Sequence, residues 1–517
     1  MADQLRDGPP TDRLAGWITT VVITVGAFVL RWWNLGQPAA IMFDESAYAK
    51  DAWSLYRYGY EGSWTAGDNQ GIDLAIVHGD ASALTPTGGF ASHPEVGKWL
   101  IGAGEAVFGL NPFGWRVAAL VFGALLVFMV IRLGRRLGRS TLVGALAGLF
   151  IAVDGLSFTM SRIAMLDIFE VFFIVAGAAA VVTDRDYFRR KLADALDRTS
   201  AASFAGRPGP FVFRPWLIVA GLMFGLACAT KWNAVYPLAV FAVLTVVWSV
   251  TARRLAGAGN SSWWGLLTDG LPAFVSMVVV ALGVYLASWA GWLATSGGYD
   301  RQWGATHPDD PAVSHLGTAL GSLWHYTTDM YAWATGPDMA SINHPYASNP
   351  WDWPLVLRTI GLYAQPGIPA GQQGRVASAS DGCLRVITGL GTPILWWGAT
   401  AATLVSLAWW IIQRNWRYSV VALATCSTWL PWMVTGRGSV FSYYALTMIP
   451  FMAIGLAMVL GTLARGRPGR FRLVRPILVG VYVALVVADF AFNYPIYTAQ
   501  LLTTAQYDWR MWLPGWT

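Results

Sequence analysis

FDESAYAKDAW (43–53) sets two adjacent carboxylates, Asp44 and Glu45, a few residues beyond the first long apolar run of the chain. Charges this close to a bilayer are costly unless something uses them. One use is chemical: a positioned carboxylate accepts the proton of a hydroxyl as that oxygen attacks an electrophile. Asp44 is the candidate base. Tyr48, Trp53, Tyr56, Tyr58 and Tyr60, interleaved with Lys50, Asp51 and Arg57, predict an amphipathic helix lying on the membrane surface. Asp44 falls near the start of that helix, so capping is the competing reading, and cap and base are compatible. Glu45 faces another direction, since neighbours on a helix diverge. It either orients an acceptor or holds Asp44 through an intermediary such as Arg116.

Ionisable residues collect at five further places. ASHPEVGKWLIGAGEAVFGLNPFGWR (91–116) carries His93, Glu95, Lys98 and Arg116. Each has a plain alternative: a turn at His93-Pro94, a snorkelling Lys98, an interfacial Arg116. DGLSFTMSRIAMLDIFEVFF (154–173) puts Arg162, Asp167 and Glu170 in or beside an apolar span, where such groups face the bundle interior. A mutual Arg162–Asp167 salt bridge stands level with a functional role there. ATKWNAVYP (229–237) places Lys231 in a turn between two short spans. INHPYASNPWDWPL (342–355) gathers His344, Tyr346 and Asp352, and TGRGSVFSYYALTMIPF (435–451) brings Arg437 to the outer end of two more spans.

Positioning these residues requires a membrane scaffold. Only 12% of the 517 residues are charged, 55% are hydrophobic, and mean hydropathy is +0.46, which argues for a polytopic membrane protein over a soluble enzyme. Apolar stretches fall at 17–33, 116–133, 140–153, 164–182, 216–230, 232–250, 271–293, 392–412, 419–434, 441–463 and 475–492, predicting an all-α protein of about 11 transmembrane helices. With residues 1–16 in the cytoplasm, the Arg clusters at 132–139, 185–214, 253–254, 414–417 and 465–475 all fall on that side. The net charge of +6 therefore reports topology, and no nucleic-acid partner is indicated. Segments 34–115 and 294–391 become extracytoplasmic loops, 183–215 a cytoplasmic linker and the likeliest site of disorder, and 493–517 an outer tail whose tryptophans suit an interfacial belt. The first apolar run lacks a small-residue cleavage site and reads as a retained span. Cys228, Cys383 and Cys426 indicate no disulfide framework.

The succession FDESAYAKDA, HPEVGKWLIG, SRIAMLDIF, ATKW, HPYASNPWDWP and SYYALTMIPF resembles the protein O-mannosyltransferases, multispan enzymes of the C-type glycosyltransferase superfamily, and their actinobacterial members in particular. The resemblance runs from about residue 30 to 465. It departs at HPEVGK, where many eukaryotic relatives have HPPLGK, and at Tyr443-Tyr444, where they carry a histidine. Their β-trefoil-type domain has no room in 294–391, which reads as irregular. The resemblance implies inverting transfer of mannose from polyprenyl-phosphate mannose to Ser or Thr hydroxyls of a polypeptide, on the extracytoplasmic face of the plasma membrane. Asp44 and Glu45 would be the acceptor-side acids. Charge building on the departing phosphate calls for cations, Arg437 first, then Lys231 and Arg162, with Asp167, His344 and Tyr346 around the donor and His93, Lys98 and Arg116 shaping the acceptor side.

No cofactor is required by this chemistry. A divalent cation has one candidate set, His344 with Asp44 or Glu45. A nucleotide-sugar donor is disfavoured, because the outer loops hold no Asp-x-Asp and no Gly-rich phosphate cradle. Two other readings stand beside the mannosyltransferase. A related C-type enzyme would move another polyprenyl-linked sugar, such as aminoarabinose, to lipid or glycan. A transporter would also bury charge, but neither repeated halves nor interrupted midplane helices are found in the sequence.

Overall fold

The computed structural model describes residues 5–6, 12–65, 69–198, 212–376, 382–465 and 473–516. Among these, six helices have the length and apolarity to cross a membrane: Arg13–Trp32, Pro112–Gly138, Trp232–Leu255, Gly259–Ser288, Pro393–Gln413 and Val474–Tyr497. Thr141–Ala152, Pro215–Cys228 and Ile449–Ala464 are shorter apolar helices. The apolar first half of Asp167–Arg198 and the helix Trp416–Trp429 join them. Every expected stretch is thus largely helical, while six rather than eleven meet the measure of a full span.

Local chemistry explains where the boundaries moved. The Asn111 side chain accepts from the N–H groups of Phe113 and Gly114, and Pro112 takes the first helical position, so the second long helix starts ahead of its apolar run. The stretch expected at 441–463 becomes an α-helix only at Ile449, because Ser442–Thr447 winds as a 3-10 helix and Pro450 occupies the first α-helical turn. The stretch at 271–293 is divided by a π-helical turn, Val275–Val279, and by a break at Trp289. The linker expected from 183 is helical to Arg198. Residues 199–211, the heart of the segment expected to be disordered, lie outside the described residues.

The segments 34–115 and 294–391 are more regular than the sequence implied. The first holds the helices Glu45–Tyr58, Asn69–Val77 and Val96–Phe108 and the antiparallel pair Gly62–Trp64 with Leu84–Gly88. In 294–391, expected to be irregular, Asp310 caps the helical segment Pro311–Thr335, which is kinked at Gly317 (φ 80°). Strands Ile360–Gln365 and Cys383–Gly389 pair antiparallel, and Leu502–Thr503 joins their sheet. The C-terminal tail is thereby folded back onto this loop. Trp516 is buried there and donates its Nε1–H to the Val356 carbonyl at 2.6 Å, so it is an anchor, while Trp509 and Trp512 stay exposed.

The helix Val96–Phe108 is the hub of the outer layer, and two glycines make it so. A Cβ on Gly102 would stand 2.8 Å from the Ala52 carbonyl oxygen of the helix Glu45–Tyr58, and one on Gly104 would stand 2.4 Å from the Gly114 carbonyl oxygen of Pro112–Gly138. Backbones approach this closely only where side chains vanish. Gly104→Leu is expected to wedge the two helices apart and cost about 1–3 kcal/mol. Gly26→Ala, with nothing within 4 Å of the added methyl, is expected to be neutral or slightly stabilising. Thermal unfolding of the detergent-purified chain measures both, and equal midpoints for the two variants would contradict the hub.

Candidate active site

Asp44 begins the helix Glu45–Tyr58, its carbonyl accepting from the N–H groups of Ala47 and Tyr48 at 3.0 Å each. Its side chain makes no capping hydrogen bond. The capping reading is therefore corrected: the backbone turns the helix start and leaves the carboxylate for other work. Phe43, just before it, has a φ of 47°, a left-handed conformation that a bulky residue holds only under constraint. Its ring is wedged edge-on against His344, Phe441 and Tyr443.

Glu45 is the source of that constraint. It is fully buried, and both its oxygens are occupied. Arg116 Nε reaches Oε1 at 2.8 Å and Nη2 reaches Oε2 at 2.9 Å, while the N–H groups of Ala164 and Met42 donate to the same two oxygens at 3.0 Å. The remaining Arg116 donors bind the carbonyls of Leu35, Pro38 and Ala40 at the exit of the first helix. Glu45 has no lone pair facing an acceptor, which corrects its assignment as an acceptor-side acid. It is a positioning residue, and Arg116 is its intermediary.

Across from Asp44 stands Lys231, held by both oxygens of Asp167 at 2.9 Å each. Its ammonium lies 5.0 Å from the Tyr444 ring and 5.7 Å from the Tyr443 ring. Burial works against charge on Lys231, yet Asp167, Tyr444 and Glu170 hold its pKa above the usual value. Burial pushes the Asp44 carboxyl up to about 6, against the pull of Lys231 and of a hydrogen bond from Tyr443, with Asp167 adding to the rise. His93, packed near Tyr48, is kept neutral by burial and by the nearby Lys231, Lys98 and Arg437. An acid raised toward its proton-transfer range therefore lies within the field of Lys231 and Asp167, and His93 lies within that of Lys231, Lys98 and Arg437.

Arg437 completes the field. Among the described residues it has no carboxylate or hydrogen-bond partner, and its Nε is sealed from solvent without an acceptor. It stands where two cavities meet. One, of about 500 Å³, is walled by Trp232, Tyr236, Tyr285, Tyr331 and Trp432; the other, of about 410 Å³, includes Ser348 and Asn349. An unpaired guanidinium ending an aromatic cavity is suited to an anion carried on an apolar chain.

The other expected site residues divide. Arg162 makes no salt bridge with Asp167; its guanidinium binds the carbonyls of Arg31, Trp33 and Asn34 and closes the first helix, so neither of its expected roles holds. Lys98 is buried between Glu61 at 2.9 Å and Asp51 of the helix Glu45–Tyr58 at 3.2 Å. His344 and Tyr346 do reach the rim: the His344 ring packs on Phe43, and its Nδ1 accepts from the Tyr346 N–H at 3.1 Å. Of the expected His344–carboxylate cation set, Glu45 and the His344 Nδ1 are already engaged. Among the described residues the group close enough to share an ion is Asp300, His325 and Asp329, all in the second outer loop. Tyr443, Tyr444 and Tyr48 were missed as site residues. The pair at 443–444 sits where relatives were expected to carry a histidine, and that departure was the available signal.

A family model described as dolichyl-phosphate-mannose-protein mannosyltransferase matches residues 21–290, and one described as the C-terminal four TMM region of protein-O-mannosyltransferase matches 320–516. A polyprenol-phosphate-mannose–protein mannosyltransferase of Mycobacterium tuberculosis is 37% identical over 99% of this chain and 94% of its own length. One of Corynebacterium glutamicum is 30% identical over 96% and 93%. The fold is similar to that of the S. cerevisiae protein O-mannosyltransferase Pmt1-Pmt2 complex bound to the sugar donor. The TM-score is 0.69 over 98% of this chain and 95% of that one, at 13% identity.

The clamp makes a quantitative prediction. Glu45→Ala and Arg116→Ala each strand a buried charge and are expected to cost about 3–5 kcal/mol. The double variant is expected to cost clearly less than the sum. Additive losses in thermal unfolding would show that the two side chains do not act as a unit.

Proposed function

The chain belongs to the dolichyl-phosphate-mannose-protein mannosyltransferase family, and on that premise we propose that Asp44 takes the proton of a polypeptide Ser or Thr hydroxyl while Arg437 receives the phosphate of a polyprenyl-phosphate mannose. The observation that carries this reading is a carboxylate released from capping and an unpartnered guanidinium that both lie, with Lys231, within electrostatic reach of Tyr444.

The chemistry follows from charge. As the hydroxyl oxygen bonds to the anomeric carbon, its proton passes to Asp44, and the bond from that carbon to the phosphate oxygen breaks with both electrons leaving on the phosphate. The sugar becomes oxocarbenium-like in passing. One base on the acceptor side suffices, because the polyprenyl phosphate departs as a phosphate monoester anion without a general acid. Negative charge then grows beside Arg437 and Lys231, where preorganised cations lower the barrier most. Asp167 keeps Lys231 charged, and the aromatic cavity ending on Arg437 is proposed to take the first prenyl units. The acceptor enters from the side of the helix Glu45–Tyr58. With the basic ends of the helices inside, this pocket faces away from the cytoplasm across the plasma membrane.

Membranes holding the chain, given labelled polyprenyl-phosphate mannose and a Ser/Thr-rich peptide, are expected to label the peptide. Label on lipid or glycan instead would mean a different transferase reaction. Because Asp44 is protonated below about 6, kcat/KM is expected to rise about tenfold per pH unit below that value and to level above it; a rate that falls with pH through this window contradicts a carboxylate base. Arg437→Ala is expected to lower kcat about 10²-fold, and an unchanged rate at saturating donor would remove Arg437 from the phosphate.

A further inference from the structure

At the end of the bundle opposite Asp44, a cavity of about 420 Å³ opens between the helices Arg13–Trp32, Pro112–Gly138, Asp167–Arg198 and Pro215–Cys228. Its interior is apolar, with Phe172 and Met223 among its walls, and its rim carries Trp17, Trp216, Arg132 and Arg136. From Trp216 to Met223 it runs roughly 10 Å along the helix, well within one leaflet of a hydrocarbon core of about 30 Å. The two tryptophans are 48% and 40% exposed, as side chains at the interfacial depth are.

Arg132 and Arg136 of this rim and Arg135 beside them share neighbouring turns, and they are not equivalent. Arg135 is paired with Asp12 at 2.7 Å and Arg136 with Asp186 at 2.8 Å. Arg132 has no ion pair or hydrogen bond among the described residues. Its guanidinium lies 4.0 Å from the Trp17 ring centroid, and its Nη1 is sealed from solvent with no acceptor. A shielded donor without a partner is costly, and the rarity of such groups makes one at the mouth of a cavity a sign of an absent ligand. The ligand must be an anion at interfacial depth that extends into an apolar hole.

We propose that this cavity binds an anionic phospholipid of the cytoplasmic leaflet, its phosphate on Arg132 and an acyl chain between the helices. Basic pockets between membrane helices on that side take anionic headgroups for the same reason. The site is separate from the catalytic pocket: Arg116, which clamps Glu45 from the same helix, is roughly 24 Å from Arg132 along its axis. The lipid ties the sparsely packed first helix to the rest of the bundle and stabilises the fold by mass action.

The test uses the full chain in neutral detergent with added phosphatidylglycerol or phosphatidylcholine, read by native mass spectrometry and by thermal unfolding. Wild type is expected to retain phosphatidylglycerol about fivefold better than phosphatidylcholine, the effect of one interfacial arginine, and to unfold at a higher temperature with it. Arg132→Gln is expected to lose that preference and Arg132→Lys to keep it, with peptide mannosylation by both reporting an intact fold. Met223→Trp fills the cavity, keeps the charge and is expected to lose retention of both lipids, so it decides the matter should Arg132→Gln fail to fold. A wild type without preference, an Arg132→Gln variant with it, or a Met223→Trp variant that still retains phosphatidylglycerol overturns the proposal. Displacement of that lipid by equimolar polyprenyl phosphate would overturn it in favour of a second donor-type site.

Discussion

The buried pair of Glu45 and Arg116 is the constraint on which the outer half of the molecule depends. Neither charge has access to water, so each must be satisfied by the other and by the backbone around it. Together they gather the exit of the first helix, the turn at Met42, the loop at Ala164 and the start of the second long helix into one knot. Asp44 is the next residue along, and its direction is fixed by what its neighbour must do. The left-handed Phe43 is the local conformational cost of that arrangement.

The opposite wall of the pocket follows a different rule. There the cations are kept available rather than consumed. Lys231 is oriented by Asp167 but remains over the tyrosine rings, and Arg437 is left without any partner among the described residues. In the proposed reaction a leaving phosphate would supply the missing counter-charge at the moment stabilisation is needed. Orphaned basic groups therefore mark where an anion belongs, and the same logic applies to Arg132 at the other end of the bundle.

Much of this was readable in the sequence, and the exceptions share a cause. The helical membrane class and the positions of the apolar stretches follow from composition and from the hydrophobic runs themselves. What the sequence could not show was which partner each buried charge would choose. Arg162 lies five positions from Asp167, yet it closes the first helix while Asp167 takes Lys231 from another hairpin. Asp44 and Glu45 look alike on paper and differ in the direction of their side chains, one free of a salt bridge among the described residues and one locked. Lys98, expected to shape the acceptor side or else to snorkel, is a buried counter-ion because Asp51 and Glu61 come from a helix and a strand start that only the fold brings beside it. The regular elements in 294–391 escaped notice since short strands paired across distant segments leave little periodic signal.

The central claim is that Asp44 alone moves the proton while the rest of the pocket binds and stabilises. It is tested most directly by comparing donor binding and mannosyl transfer in Asp44→Asn. The variant is expected to bind labelled polyprenyl-phosphate mannose as wild type does and to transfer mannose to peptide at least about 10²–10⁴-fold more slowly, the usual contribution of a general base. Undiminished transfer, or a loss of transfer that only mirrors a loss of donor binding, would contradict it.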